Sequence, residues 1–194
     1  MSKTAISIST NVLAAIVKWS CQDRDRLHLC AVLFEKDRAI ATDGHRMVLL
    51  PIPTHGHHLL VDGQHIGAAV AAQRDMKVQR PHSITIEPGD KSIILGLDKG
   101  VSLVVPTRDP AQYPPYDQVV PKVDPKANAP HGYILNPRYL AAIAEVNDAV
   151  APSTQCGIRV VAWSPSDANG QQLGAMLFEG HEGVQFVVMP MRSI

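Results

Sequence analysis

Three methionines offer the first chemistry in this sequence. Met47 closes the segment Ala41-Thr-Asp-Gly-His-Arg-Met47, and Met189 and Met191 flank Pro190 in Phe186-Val-Val-Met-Pro-Met-Arg192. Thioether side chains are flexible and polarizable, so a groove lined with them repacks around different apolar partners. Beside them, His45 and Arg46 supply hydrogen-bond donors for a carbonyl oxygen. Gly44 removes a side chain where another backbone must approach closely. The set suits holding a short peptide better than making or breaking bonds. Taken alone, Asp43-Gly44 is an ordinary hairpin turn, and methionines on a terminal strand are ordinary core residues. Whether the two segments meet therefore decides the matter.

Other chemistries find less support. No glycine-rich phosphate loop and no serine-nucleophile motif occurs. Asp43 with His45 is the only pairing on which a small hydrolase could be argued. The run His55-Gly-His57-His58 lacks a cysteine or carboxylate at ligand spacing, so it reads as a solvated loop, and neither metal nor cofactor is expected. Cys21, Cys30 and Cys156 are an odd, unclustered set that suits buried thiols of a reducing cytoplasm. No apolar run approaches the roughly 18 residues of a membrane span. The first nine residues alternate polar and apolar, as a strand does and a signal peptide does not. With 45% hydrophobic and 19% charged residues, the composition is that of an ordinary globular protein. A net charge of +0 still leaves room for a local basic face.

The elements that must position these groups repeat three times along the 194 residues as strand, helix, then antiparallel meander, an α+β pattern. The first copy runs from alternating residues 5–8 through a helix capped by Ser9 or Thr10, with Leu13, Ile16 and Val17 on one face. Its strands are expected at 28–34, 38–42 and 45–51. The second opens at 58–61, with Asp62 as N-cap, Ile66, Ala69 and Val70 inward, and strands at 83–86, 92–95 and 101–105. The third opens at 132–135, and Asn136-Pro137 is a strong helix start. Leu140, Ile143 and Ala144 form its apolar face, with strands near 157–163, 172–178 and 184–189. Between the second and third copies, 106–130 is rich in proline and small residues and reads as a linker. Such units leave strand edges that a neighbour must cover.

Leu33-Phe-Glu35, residues 41–47, Tyr113-Pro-Pro-Tyr116, Val119-Val-Pro121 and Met189-Pro-Met-Arg192 together resemble the bacterial DNA sliding clamp, the beta subunit of the replicative polymerase. In that family two such half-units make a domain, three domains a subunit and two subunits a ring with helices facing the hole. The resemblance implies a DNA clamp fold of three β-α-β-β-β half-units with helices on one face of antiparallel sheets. Residues 1–121 resemble the middle domain, as half-units 1–53 and 57–106 plus a connector at 107–121. Residues 122–194 resemble a linker and the second half of the third domain, with the first domain and half of the third missing. It further implies a peptide pocket of Leu29, Thr42, Gly44, His45, Arg46 and Met47 from the first unit. Pro114 and Val119 would join from the connector, and Val187, Met189, Pro190, Met191 and Arg192 from the last strand. A cleft this small buries less than about 1,200 Å², which points to affinity on the order of micromolar.

The partners implied are DNA polymerase or repair proteins with clamp-binding motifs, a clamp loader, and double-stranded DNA held without sequence preference. Lys18, Arg24, Arg26, Arg74, Lys77 and Arg138 are the candidate DNA contacts. Asp23, Asp25, Asp75, Glu145 and Asp148 oppose them, and the third helix is net acidic. Three units per chain would need four chains to supply the family's twelve. The two outer units point the same way, so like ends would meet through isologous contacts in a homotetramer of alternately flipped chains. A dimer closing one edge is the competing assembly, and a non-encircling adaptor or decoy the competing function.

Overall fold

The computed structural model describes residues 4–76, 82–89, 91–122, 134–152, 157–163 and 174–191. Alternating Ile6 and Ile8 make β1 (Ile6–Ser9), which runs straight into α1 (Thr10–Val17). A meander follows as β2 (Ala31–Glu35), β3 (Arg38–Thr42) and β4 (Arg46–Pro51). The second unit repeats the order as β5 (Leu59–Asp62), α2 (Gly63–Asp75), β6 (Ser83–Pro88), β7 (Ser92–Gly96) and β8 (Ser102–Pro106). The third supplies α3 (Pro137–Val150), β9 (Arg159–Trp163), β10 (Met176–Glu179) and β11 (Gln185–Val188). Helix starts follow the expected chemistry. The Asp62 carboxylate accepts from the Gln64 N–H at 2.8 Å, and the Asn136 side chain accepts from the Arg138 N–H at 3.0 Å. Ser9 holds the N-cap position of α1 without a side-chain bond.

The first two units exchange strands. β1 of the first pairs with β6 of the second, and β5 of the second pairs with β2 of the first. One sheet therefore runs β1-β6-β7-β8 and the other β5-β2-β3-β4-β11-β10-β9. The larger sheet passes without a break from the first unit to the third, because β4 and β11 pair antiparallel. α1 packs between α2 and α3 over the inner faces of the sheets. Trp19, fully buried just past α1, meets Phe186 of β11 at 5.4 Å between ring centroids and ties the first and third units together.

Several expectations are corrected. The strand expected from residue 28 begins only at Ala31, because Arg24–Leu29 forms 3-10 helix. Residues 106–122 are no loose linker. Tyr113 and Tyr116 are buried with Leu33, Ile40, Leu49 and Leu60 on the outer face of the larger sheet, and short 3-10 turns at Pro110–Gln112 and Tyr116–Gln118 shape the segment. The remainder of that linker, 123–130, lies outside the described residues. Of the strand expected at 132–135, Ile134 and Leu135 are described, and neither is paired as a strand. On α3, Ile143 is buried, whereas Leu140 and Ala144 are exposed. The outer edges also differ in kind. The chain ends on one side with β8, the last strand of a meander, and on the other with β9, the first.

Candidate peptide-binding site

The two methionine segments meet. Met47 lies directly opposite Val187 in the β4–β11 pairing, and just beyond it the Met189 N–H donates to the His45 carbonyl at 2.8 Å. The turn between β3 and β4 is locked by its own side chains. The Asp43 carboxylate accepts from the N–H groups of His45 and Arg46 at 2.9 and 3.0 Å, and the Thr42 hydroxyl donates to the Arg46 carbonyl at 2.7 Å. Gly44 has φ +90°, the left-handed region where a side chain is strained, and an added Cβ would also lie 3.2 Å from Nη1 of Arg26. The Asp43 carboxylate also accepts from Nε of Arg46 at 3.0 Å, which ties it to the turn.

Here a cleft of about 310 Å³ opens, lined by His28, Leu29, Thr42, Gly44, His45, Arg46, Met47, Pro114, Pro115, Tyr116, Val119, Val187 and Met189. Its floor is the buried pair Met47 and Val187, and Val119 and Met189 stand exposed at its rim. The described connector closes one side, held down by chemistry at Tyr116. The Tyr116 hydroxyl donates to Oε1 of Glu35 at 2.9 Å, and Lys36 reaches Asp117 at 3.3 Å. Burial works to raise the Glu35 carboxyl, yet bonds from Tyr116 and Lys36 hold it below the usual carboxylate range. Burial and the neighbouring Glu35 push the Tyr116 hydroxyl up to about 12.

Ten of the residues expected in a pocket line this cleft: Leu29, Thr42, Gly44, His45, Arg46, Met47, Pro114, Val119, Val187 and Met189. Pro190 and Met191 do not. The chain turns away after Met189, and the Met191 N–H donates to the Ile134 carbonyl at 2.8 Å. Arg192 lies outside the described residues. Arg46 plays a different part from the one its charge suggested. Its Nη2 donates to the Lys18 carbonyl at 2.9 Å, and its guanidinium sits 4.9 Å from the Trp19 ring and 5.4 Å from that of Tyr139. Much of its fork is taken up by the junction of α1, β4 and α3. His28, Pro115 and Tyr116 were not foreseen. Tyr116 had a signal, an aromatic beside a proline pair, while His28 depends on a 3-10 helix that alternation disguised as strand.

The candidate DNA contacts are scattered. Lys18, past α1, pairs with Glu145 of α3 at 3.0 Å, both side chains being more than half exposed, so water screens the pair. Arg74 is exposed in the last turn of α2 and Arg138 in the first turn of α3. Nη1 of Arg26 lies beside Gly44. Arg24 belongs to the neighbouring 3-10 helix, and Lys77 is outside the described residues. The histidine loop disperses. Nε2 of His57 bonds with the Thr4 carbonyl at 2.9 Å, and His58 meets Glu35 at 2.9 Å. Among the described residues no three His, Cys, Asp or Glu side chains converge as a metal site, and no helix is long and apolar enough to cross a membrane.

No protein-family description and no curated protein matches the chain. Solved structures do. A DNA polymerase sliding clamp from Pseudomonas aeruginosa superposes on 100% of this chain and 68% of its own, at 17% identity and TM-score 0.62. DNA polymerase III subunit beta from Borrelia burgdorferi covers 98% of this chain and 64% of its own, at 14% identity and TM-score 0.64. The Thermotoga maritima beta subunit covers 100% and 67%, at 14% identity and TM-score 0.64. The chain thus spans about two thirds of the length of these clamps while being matched end to end. Its paired antiparallel sheets, helices packed on one face and unbroken β4–β11 junction are those of the bacterial DNA sliding-clamp fold.

Proposed function

We propose that the cleft holds a short extended peptide whose apolar side chains rest on Met47 and Val187, and that the chain thereby tethers the proteins carrying such motifs. DNA polymerases and repair proteins are the partners this implies, with a loader to place the assembly on DNA, and the site of action is the cytoplasm. No chemical step is involved. The observation that carries the reading is the pairing of Met47 with Val187. It turns two segments from opposite ends of the sequence into one apolar floor with flexible Met189 at its rim. Solved clamps from Bartonella birtlesii and Pseudomonas aeruginosa are bound to griselimycin, so this fold offers a ligand site elsewhere. The test is fluorescence anisotropy with a labelled hexapeptide bearing glutamine, leucine and phenylalanine. A Kd on the order of micromolar, weakened at least tenfold by Val187→Glu, supports the reading. No saturable binding at about 1 mM refutes it.

The ring is part of the same proposal. Four alternately flipped chains would supply twelve half-units, each outer edge meeting its own kind across a two-fold axis, with double-stranded DNA through the centre. A dimer closing one edge competes with it. The scatter of the candidate DNA contacts, with Lys18 beside Glu145 and Arg74 and Arg138 on different helices, favours a second reading, an adaptor that competes for the same motifs without encircling DNA. Retention on nicked circular DNA that is lost on linearisation selects the ring, and absence of retention selects the adaptor.

A further inference from the structure

The first two units complete each other, and among the described residues the third has no such partner. We infer that the third unit is completed by the third unit of a second copy, through the same strand exchange that joins the first two. This goes beyond the peptide reading and stands whether or not the cleft is used.

Equivalent positions in the three units differ in burial. Ser9, Asp62 and Asn136 are the N-caps of α1, α2 and α3. Four residues on lie Leu13, Ile66 and Leu140. The first two are 1% exposed, and Leu140 is 38% exposed. On the sheet, Val32 of β2 and Ile84 of β6 are second in their strands and 0% exposed, because β5 and β1 cover them. Their counterpart Val160 of β9 lies opposite Phe178, whose side chain belongs to the helix-side core, yet Val160 is 40% exposed. Ile134, just ahead of α3, is 47% exposed. A helix flank and a strand edge are therefore left open together among the described residues, beside a segment whose Ile134 side chain is exposed while its carbonyl accepts from the Met191 N–H.

The occupant follows from the exchange already present. In both existing pairings the N-cap residue faces the first residue of the partner's first meander strand: Ser9 opposite Ser83, and Asp62 opposite Ala31. Carried to two copies related by a two-fold axis, this register sets Asn136 opposite Arg159, and Leu135 opposite Val160, twice over. Leu140 and Ala144 of the two α3 helices then bury each other as α1 and α2 do. The exposed edge of β9 also receives the backbone partner that an unpaired strand lacks.

Cysteines placed at Leu135 and Val160 test the register, since opposed strand residues lie within disulfide reach. In the double variant L135C/V160C, mild oxidation is expected to give a reducible band at twice the 21.0 kDa chain. The offset control L135C/R159C gives at least fivefold less. Light scattering at about 100 µM should find the wild type assembled, and Leu140→Glu should halve its mass. Because Leu140 is exposed in the single chain, the variant should melt with the diluted wild type, and its affinity for the labelled hexapeptide should be unchanged. A wild type of one chain's mass without cross-linking overturns the inference. So does an assembly whose mass survives both Leu140→Glu and Val160→Glu.

Discussion

The same four residues, Leu-Ala-Ala-Ile, occur in α1 as 13–16 and in α3 as 140–143 and meet different fates. In α1 all four are buried, since α2 flanks the helix on one side and α3 on the other. In α3 only Ile143 is, and Leu140 and Ala141 face outward. Helical periodicity is identical in the two, so burial here is decided by whether a neighbouring half-unit exists. The comparison separates a completed domain from a half-domain within one chain. It also explains why the cleft is formed by the units present. Its parts come from the first unit, the connector and the β11 end of the third, whereas the open face lies at the β9 end.

The largest expected effect breaks this comparison directly. Leu13→Ala removes a side chain packed on all sides and should cost about 3 kcal/mol. Leu140→Ala in dilute protein should stay within about 0.5 kcal/mol. Urea titration at about 1 µM reads both, and equal losses would sink the distinction. If the third unit meets its copy, the cost of Leu140→Ala grows with protein concentration while that of Leu13→Ala does not.

Next in size is the connector. Tyr116→Phe removes the bond to Glu35 and should cost about 1 kcal/mol, leaving the Glu35 carboxylate with Lys36 and His58. The same bond has a pH signature. Because the Tyr116 hydroxyl is raised when folded, its contribution is complete below about pH 10 and lost as the pH rises through about 12. Phenolate absorbance should show Tyr116 titrating late, together with loss of peptide binding and ahead of Tyr113, whose hydroxyl burial raises further. The smallest effect is at acid pH. Glu35 is held below its unfolded value, so its contribution is present above the ordinary glutamate range and fades as pH falls through the lower folded value. A Tyr116→Phe chain should show a weaker acid dependence of its denaturation midpoint as the pH falls below the ordinary glutamate range.

How much was legible in advance follows from which forces act locally. Residues 38–42 were placed to the residue because alternation and flanking turns are local signals, and β3 is Arg38–Thr42. Asp62 and Asn136 were legible as caps for the same reason. The strand exchange was not, because each strand keeps its pattern whichever unit it pairs with. Leu27-His28-Leu29 alternates like a strand but lies in 3-10 helix. Leu140 was expected inward, since a period reports a face and not what covers it. The cleft was legible only through the order of three segments resembling one family. Arg46 shows the limit of that route, because its guanidinium serves the Trp19–Tyr139 junction.

The central claim is that Met47, Val187 and Met189 form the floor and rim of a peptide site. A hexapeptide with benzophenone at its phenylalanine position, which inserts preferentially at methionine, tests it most directly. After irradiation and digestion, adducts on Met47 or Met189 that unlabelled peptide competes away are the predicted result. Adducts confined to the larger hollow of about 490 Å³ beside Lys18 and Leu27, or uncompeted labelling across the surface, would contradict the account.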